Sequence, residues 1–284
     1  MRSVKYLLAA CAATMTATGA LAADMPSIMP PPPMYAPPPP PQDFGGWYLR
    51  GDIGISRQAA KSITHPNDSQ LSNAAYVGTD FSGAGLFGVG VGYAFNNWFR
   101  GDITAEYRSS SALRGSVIGT FSNGGIPVAA VDNYSANVSS VVVMANAYVD
   151  LGTWWCITPF IGAGVGTAYH MVSGFRDDGL NYANFSANPG VYFGENGNQA
   201  SLAWAVHAGL AYRVNQNLTM ELAYRYIDMG KAMTGTAGYP FDRSFVGSNA
   251  WTVRDITSHD LKVGLRWTCC DVPPPPPPPL VRKG

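Results

Sequence analysis

Three groups of residues in this 284-residue chain have types and spacings that could do chemistry. Ser258-His259-Asp260 sets a hydroxyl, an imidazole and a carboxylate side by side, the parts of an acyl-transfer triad. In an extended chain, neighbouring side chains point to opposite faces, so Ser258 and Asp260 share a face that His259 does not. Arg-Gly-Asp occurs at 50–52 and again at 100–102, which invites a receptor-ligand reading. Both copies lie inside alternating segments, where Arg and Asp point together into an interior beyond a receptor's reach. Cys156, Cys269 and Cys270 remain once an export signal carrying Cys11 is removed. An odd number in an exported protein leaves one thiol beside at most one bridge, Cys156 with Cys269 or with Cys270. No Cys/His spacing fits a metal. No catalytic, cofactor-binding or metal-ligating residue is therefore expected.

The elements that must position these residues repeat with a period of two. Trp47, Leu49, Ile53 and Ile55 lie on one face of the first segment, and Tyr48, Arg50, Asp52 and Ser56 on the other. Seven further segments follow the same rule, around Phe87–Phe95, Phe99–Arg108, Val141–Leu151, Ile157–His170, Leu202–Arg213, Leu218–Tyr226 and Asp260–Trp267. Asn96-Asn97, Gly152 to Cys156 and Asn215 to Asn217 are short links. The connections 58–82, 109–136, 171–198 and 230–256 are all longer than the ~12–15 residues usual in compact soluble domains. Strict alternation of short and long links predicts an all-β, eight-stranded antiparallel transmembrane barrel, with three short periplasmic turns and four long external loops.

A soluble β-sandwich would turn its apolar faces inward and has no reason to keep every second link long. The aromatics favour the barrel. Trp47, Tyr93, Phe95, Phe99, Trp154, Trp155, Tyr212 and Trp267 gather at the short-link or terminal ends, as an interfacial girdle should, and Tyr107, Tyr169 and Tyr226 mark the other rim. The polar face then fills the lumen with Arg50, Arg100, Arg108, Arg213, Arg225, Lys262 and Arg266, opposed by Asp52, Asp102, Glu106, Asp150, Glu221 and Asp260. An eight-stranded lumen is only wide enough for side chains. A structural ion-pair network that blocks free conduction is the expectation, with a narrow wet path beside the lumen glycines as the alternative.

Composition agrees. Eighteen Lys and Arg balance eighteen Asp and Glu, and charged residues are only 13%, so the basic footprint of a nucleic-acid binder is missing. A hydrophobic fraction of 46% excludes disorder. The first 22 residues read as a cleaved signal peptide, with Arg2 and Lys5, an apolar run and Ala20-Leu21-Ala22. Residues 23–46 read as a Pro-rich linker, 47–269 as the barrel and 270–284 as a Pro-rich periplasmic tail, in which the seven-proline run spans about 20 Å as polyproline II.

With the strands assigned, the chain resembles the small outer-membrane β-barrel proteins of alphaproteobacteria, of rhizobial and Brucella type, within the OmpA-like barrel group. The resemblance rests on Trp47-Tyr48-Leu49-Arg50-Gly51-Asp52, on Glu221-Leu222-Ala223-Tyr224-Arg225-Tyr226-Ile227-Asp228-Met229-Gly230, and on Lys262-Val263-Gly264-Leu265-Arg266-Trp267. It implies an outer-membrane location in a Gram-negative cell, contact with outer-membrane lipid, and delivery through the barrel-assembly machinery. That machinery reads a terminal aromatic in this family. Cys269 stands at that position here, so an internal signal with Gly264 and Trp267 is expected instead. The Pro-rich segments would reach peptidoglycan or a periplasmic protein. The family includes envelope-integrity proteins, adhesins and haem-binding proteins. An envelope-structural surface protein is the leading expectation. A small-solute porin is the alternative, and an adhesin or haem binder using Phe175, Tyr182, Phe185, Tyr192 and Phe193 is a third reading.

Overall fold

Period-two alternation becomes strand throughout. The computed structural model describes residues 46–66, 71–183, 186–240 and 250–268. The chain divides into units Met1–Pro41 and Gln42–Gly284, and every described residue lies in the second. The signal, linker and tail assignments fall outside the described residues, as do Cys11, Cys269 and Cys270.

The strands, in chain order, are β1 (Gly46–Ala59), β2 (Ser62–Thr64), β3 (Ser72–Phe81), β4 (Ala84–Ala94), β5 (Phe99–Asn123), β6 (Ile126–Asp150), β7 (Ile157–Ala183), β8 (Ser186–Gly194), β9 (Gly197–Arg213), β10 (Leu218–Asp228), β11 (Ala232–Met233), β12 (Gly238–Pro240), β13 (Thr252–Arg254) and β14 (Thr257–Thr268). Among the described residues eight of them form a closed antiparallel ring: β1, β4, β5, β6, β7, β9, β10, β14 and back to β1. Closure leaves this ring no open edge, which a sheet in hydrocarbon requires.

Local chemistry sets the short turns. Asn96 Oδ1 accepts from the backbone N–H groups of Trp98 (3.0 Å) and Phe99 (2.7 Å), and Asn215 Oδ1 does the same for Asn217 (2.9 Å) and Leu218 (2.8 Å). Both are Asx turns. Apolar side chains cover the outer wall, and Tyr93 packs edge-on to both Trp47 and Phe95 at the short-turn end.

The long connections differ from the expected loops. β5 and β6 continue as one hairpin through 109–136 to a two-residue turn at Gly124-Gly125, whose φ values of 60° and 86° are those a primed hairpin turn needs. β7 and β8 do likewise through most of 171–198. β3 pairs with β5, and β12 with β8, so a sheet projects beyond the barrel. Two bulges separate it from the barrel wall, between Arg108 and Ser111 on β5 and at Gly174 (φ 61°) on β7. Each adds residues to one strand and so reverses which positions face out beyond it.

Candidate functional site

The inward face of the ring carries the charges. Arg50 is bidentate to Asp52, with Nε 3.0 Å from Oδ2 and Nη2 2.8 Å from Oδ1, and its Nη1 donates to Asp102 at 2.8 Å. Glu221 lies 3.5 Å from Arg50, 3.3 Å from Arg100 and 3.5 Å from Arg266. Arg100 reaches Asp150 at 3.3 Å, and its guanidinium lies 4.3 Å from the Tyr148 ring centroid and 4.8 Å from that of Phe160. Glu106 collects Arg225 (2.5 Å), Lys262 (3.0 Å) and Arg108 (3.1 Å). Asp260 accepts from Arg108 (2.5 Å) and Arg225 (2.7 Å). Lys262, 3.5 Å from Asp52, is the single ion-pair link among the described residues between the Glu221 and Glu106 halves.

Six cations thus face six anions in one connected network among the described residues. The seventh expected cation, Arg213, does not join it. It is the last residue of β9, where the wall ends, and its exposed side chain forms no ion pair among the described residues.

Neutral polar groups complete this zone. The Tyr48 hydroxyl donates to Asp102 Oδ2 (3.2 Å), and Asn146 Nδ2 donates to Asp102 Oδ1 (2.8 Å) and Thr104 Oγ1 (3.1 Å). His207 packs its ring on Tyr148. Above Asp260, His170 Nε2 lies 2.9 Å from the Met229 carbonyl oxygen, so it carries the proton, and Nδ1 accepts from the Ser140 hydroxyl at 2.8 Å.

Beyond that belt the interior turns apolar, which the sequence reading missed. Val142, Met144, Ala168, Ala203, Ala205 and Ile227 occupy inward positions of the wall, and Leu113, Val117, Tyr134, Phe175 and Trp251 continue the cluster into the projecting strands. Apolar side chains thus fill part of the interior as well as covering the outer wall. A barrel whose long connections fold over its mouth gains a second, conventional core. Trp251 is the hub, with ring centroids at 4.4 Å from His65, 4.6 Å from Phe175 and 5.1 Å from Tyr192. The small sheet β2–β13–β11 holds it in place. Phe175 and Tyr192, expected as loop aromatics, therefore pack inside this cap, while Phe193 stacks near Tyr239 at 5.9 Å and Tyr182 faces outward. The side chain of Phe185 lies outside the described residues.

The remaining candidates separate. Ser258 Oγ donates to Asp260 Oδ1 at 2.6 Å inside the lumen, whereas His259 lies on the outer wall, 2.6 Å from the Tyr224 hydroxyl. Trp267 is on the outer wall opposite Leu49 and Leu218, and Gly264 faces inward between Asp52 and Glu221. Cys156 is exposed at the short-turn end, with φ 73°, and bridges no other cysteine among the described residues.

An apolar outer wall around a closed ring with a charged interior defines a membrane-spanning β-barrel. The family model of the outer membrane protein beta-barrel domain matches residues 8–268, and the chain belongs to that family. An uncharacterized protein of Brucella abortus is 31% identical over 211 residues, covering 69% of this chain and 71% of its own length. A putative adhesin of Rickettsia bellii is 26% identical over 226 residues, covering 78% and 87%. The crystal structure of the outer membrane protein OprG from Pseudomonas aeruginosa superposes with a TM-score of 0.42 at 12% identity, covering 79% of this chain and 96% of that one. The protein is a barrel of the Gram-negative outer membrane, in contact with its lipid. In barrels of this class the short turns are periplasmic and the long connections external.

Proposed function

We propose that this protein is a non-conducting surface barrel that contributes to envelope structure and offers its projecting sheet for contact with other surfaces. The observation that carries the reading is the filled interior: one connected ion network, then an apolar cap seated over it. Buried charges without partners are heavily penalised, so a matched set resists opening into a water-filled path. Planar-bilayer recording of the folded protein tests this. Silence is expected, and steady nanosiemens-scale openings support the small-solute porin instead.

The outward face of the projecting sheet favours the contact role. Register aligns Ala75, Ile118, Val131, Leu180 and Pro189 in one row across five strands, and Ile118 and Leu180 are exposed. Exposed apolar rows of this kind mark interaction surfaces. The Rickettsia relative described as an adhesin is consistent with that role. Ile118→Asp with Leu180→Asp should abolish adhesion of expressing cells while leaving the barrel folded. Unchanged adhesion removes the contact role. We also assign Gly264 and Trp267 to recognition by the barrel-assembly machinery, and the Pro-rich segments to peptidoglycan or a periplasmic partner. Full-yield insertion of Trp267→Ala would refute the former, and unaltered cell-wall association after deletion of both Pro-rich segments the latter.

A further inference from the structure

The outer wall carries one feature that neither the lumen nor the adhesive sheet uses. Along β1 the lipid-facing side chains run Trp47, Leu49, Ile53, Ile55 and then Arg57. At ~3.3 Å per residue and a tilt near 40°, the rise from Trp47 to Arg57 is about 25 Å, the height of a barrel's apolar band. Arg57 therefore sits at the external edge of the bilayer. Its guanidinium makes no hydrogen bond or ion pair among the described residues, unlike the arginines of the lumen network.

His259 stands directly opposite Arg57 in the β1–β14 register. Its Nδ1 is engaged by Tyr224 at 2.6 Å, and no described group hydrogen-bonds its Nε2. Below this pair the wall is indented. A groove of about 490 Å3 opens there, floored by Ile55 and Leu261, with Gly83 and Gly85 on its far side. Tyr226 packs edge-on to His259 at 5.3 Å, Tyr107 and Tyr169 continue the external aromatic rim, and the two glycines interrupt it. A side chain at either glycine would meet no atom nearer than 3.8 Å, so the space is open rather than packed.

We propose that this groove is a binding site for a phosphorylated glycolipid of the external leaflet, the lipid A type. One acyl chain lies along the apolar floor between Ile55 and Leu261. A phosphate of the headgroup accepts from the Arg57 guanidinium and from the His259 imidazole. The occupant follows from position and charge. The floor is lipid-facing, so only a lipid fills it. The polar end is cationic at the level of the headgroups, so the lipid carries an anion there.

The test uses the full chain folded into phosphatidylcholine nanodiscs doped with bisphosphorylated lipid A, dephosphorylated lipid A or phosphatidylglycerol. Lipid retained by the protein is quantified by native mass spectrometry. Bisphosphorylated lipid A should be retained selectively. Arg57→Ala should weaken retention about tenfold, the scale of one charge-assisted contact. Arg57→Lys should restore part of it. Gly85→Leu, which fills the groove without touching the phosphate, should weaken it comparably. Arg114→Ala, removing another outward-facing cation outside the groove, should change nothing. Faster migration of unboiled protein verifies that each variant is folded. Equal retention of dephosphorylated lipid A or of phosphatidylglycerol overturns the proposal, as does wild-type retention by a folded Gly85→Leu or Arg57→Ala variant.

Discussion

Glu106→Gln is the substitution that most directly asks whether the lumen is dry. Glu106 accepts contacts from three cations, at 2.5 Å from Arg225, 3.0 Å from Lys262 and 3.1 Å from Arg108, and its side chain is only 3% exposed. Glutamine keeps the shape and removes the charge. Its oxygen remains an acceptor, without the charge, while its amide group is turned toward cations. Each hydrogen bond to a charged group contributes about 1.5–3 kcal/mol, not additively, and breaking a buried pair by removing one partner costs about 3–5 kcal/mol. A loss of about 3–5 kcal/mol is therefore expected in urea unfolding of the protein in lipid vesicles, followed by tryptophan fluorescence. Lys262→Met should cost less, because Asp52 keeps its bidentate Arg50 and Glu106 keeps two arginines. The double-mutant cycle should return a coupling of about 0.5–3 kcal/mol. A loss below about 1 kcal/mol for Glu106→Gln would mean that water already solvates these charges, and the filled-lumen reasoning fails.

Three further outcomes are expected. Gly92→Ala should destabilise by about 1–3 kcal/mol in the same assay, because a Cβ there meets the Tyr48 ring and comes within 2.6 Å of the Gly101 carbonyl oxygen. Trp251→Ala should cost about 3–5 kcal/mol and speed amide exchange in β2, β11 and β13 more than in the barrel wall, since it removes the hub of the cap. In a background with Cys269 and Cys270 replaced by Ser, an impermeant maleimide should leave Cys156 unmodified in intact cells and label it once the outer membrane is permeabilised, as its place at the short-turn end requires.

The barrel was legible because a wall between lipid and a polar interior imposes one clean alternation. Trp47 to Ser56 and Asp260 to Trp267 each declare their faces residue by residue. The charged interior followed from the same parity, apart from Arg213, whose parity is inward but whose strand ends before the side chain can enter. The projecting sheet was not legible. At the Arg108/Ser111 bulge and at Gly174 the phase inverts, so a pattern followed from the wall dissolves into apparent loop. The Gly124-Gly125 pair was the available signal for a hairpin within 109–136. The cap was hidden for another reason. Val142 and Met144 interrupt a polar face with apolar side chains, and they belong to a cluster that continues into the folded-over segments carrying Phe175 and Trp251.

The β1–β14 pairing that closes the ring joins Tyr48 to Thr268, residues far apart in the chain. Contacts of such sequence separation form slowly. Arg50 with Glu221, Lys262 with Asp52 and Arg108 with Asp260 all join early strands to late ones. In a half-assembled sheet those groups face hydrocarbon or a narrow crevice without their counterions, a state of high free energy. The matched set of charges is therefore complete only when early and late strands are paired in register, which ties the energetics of the lumen to closure of the ring.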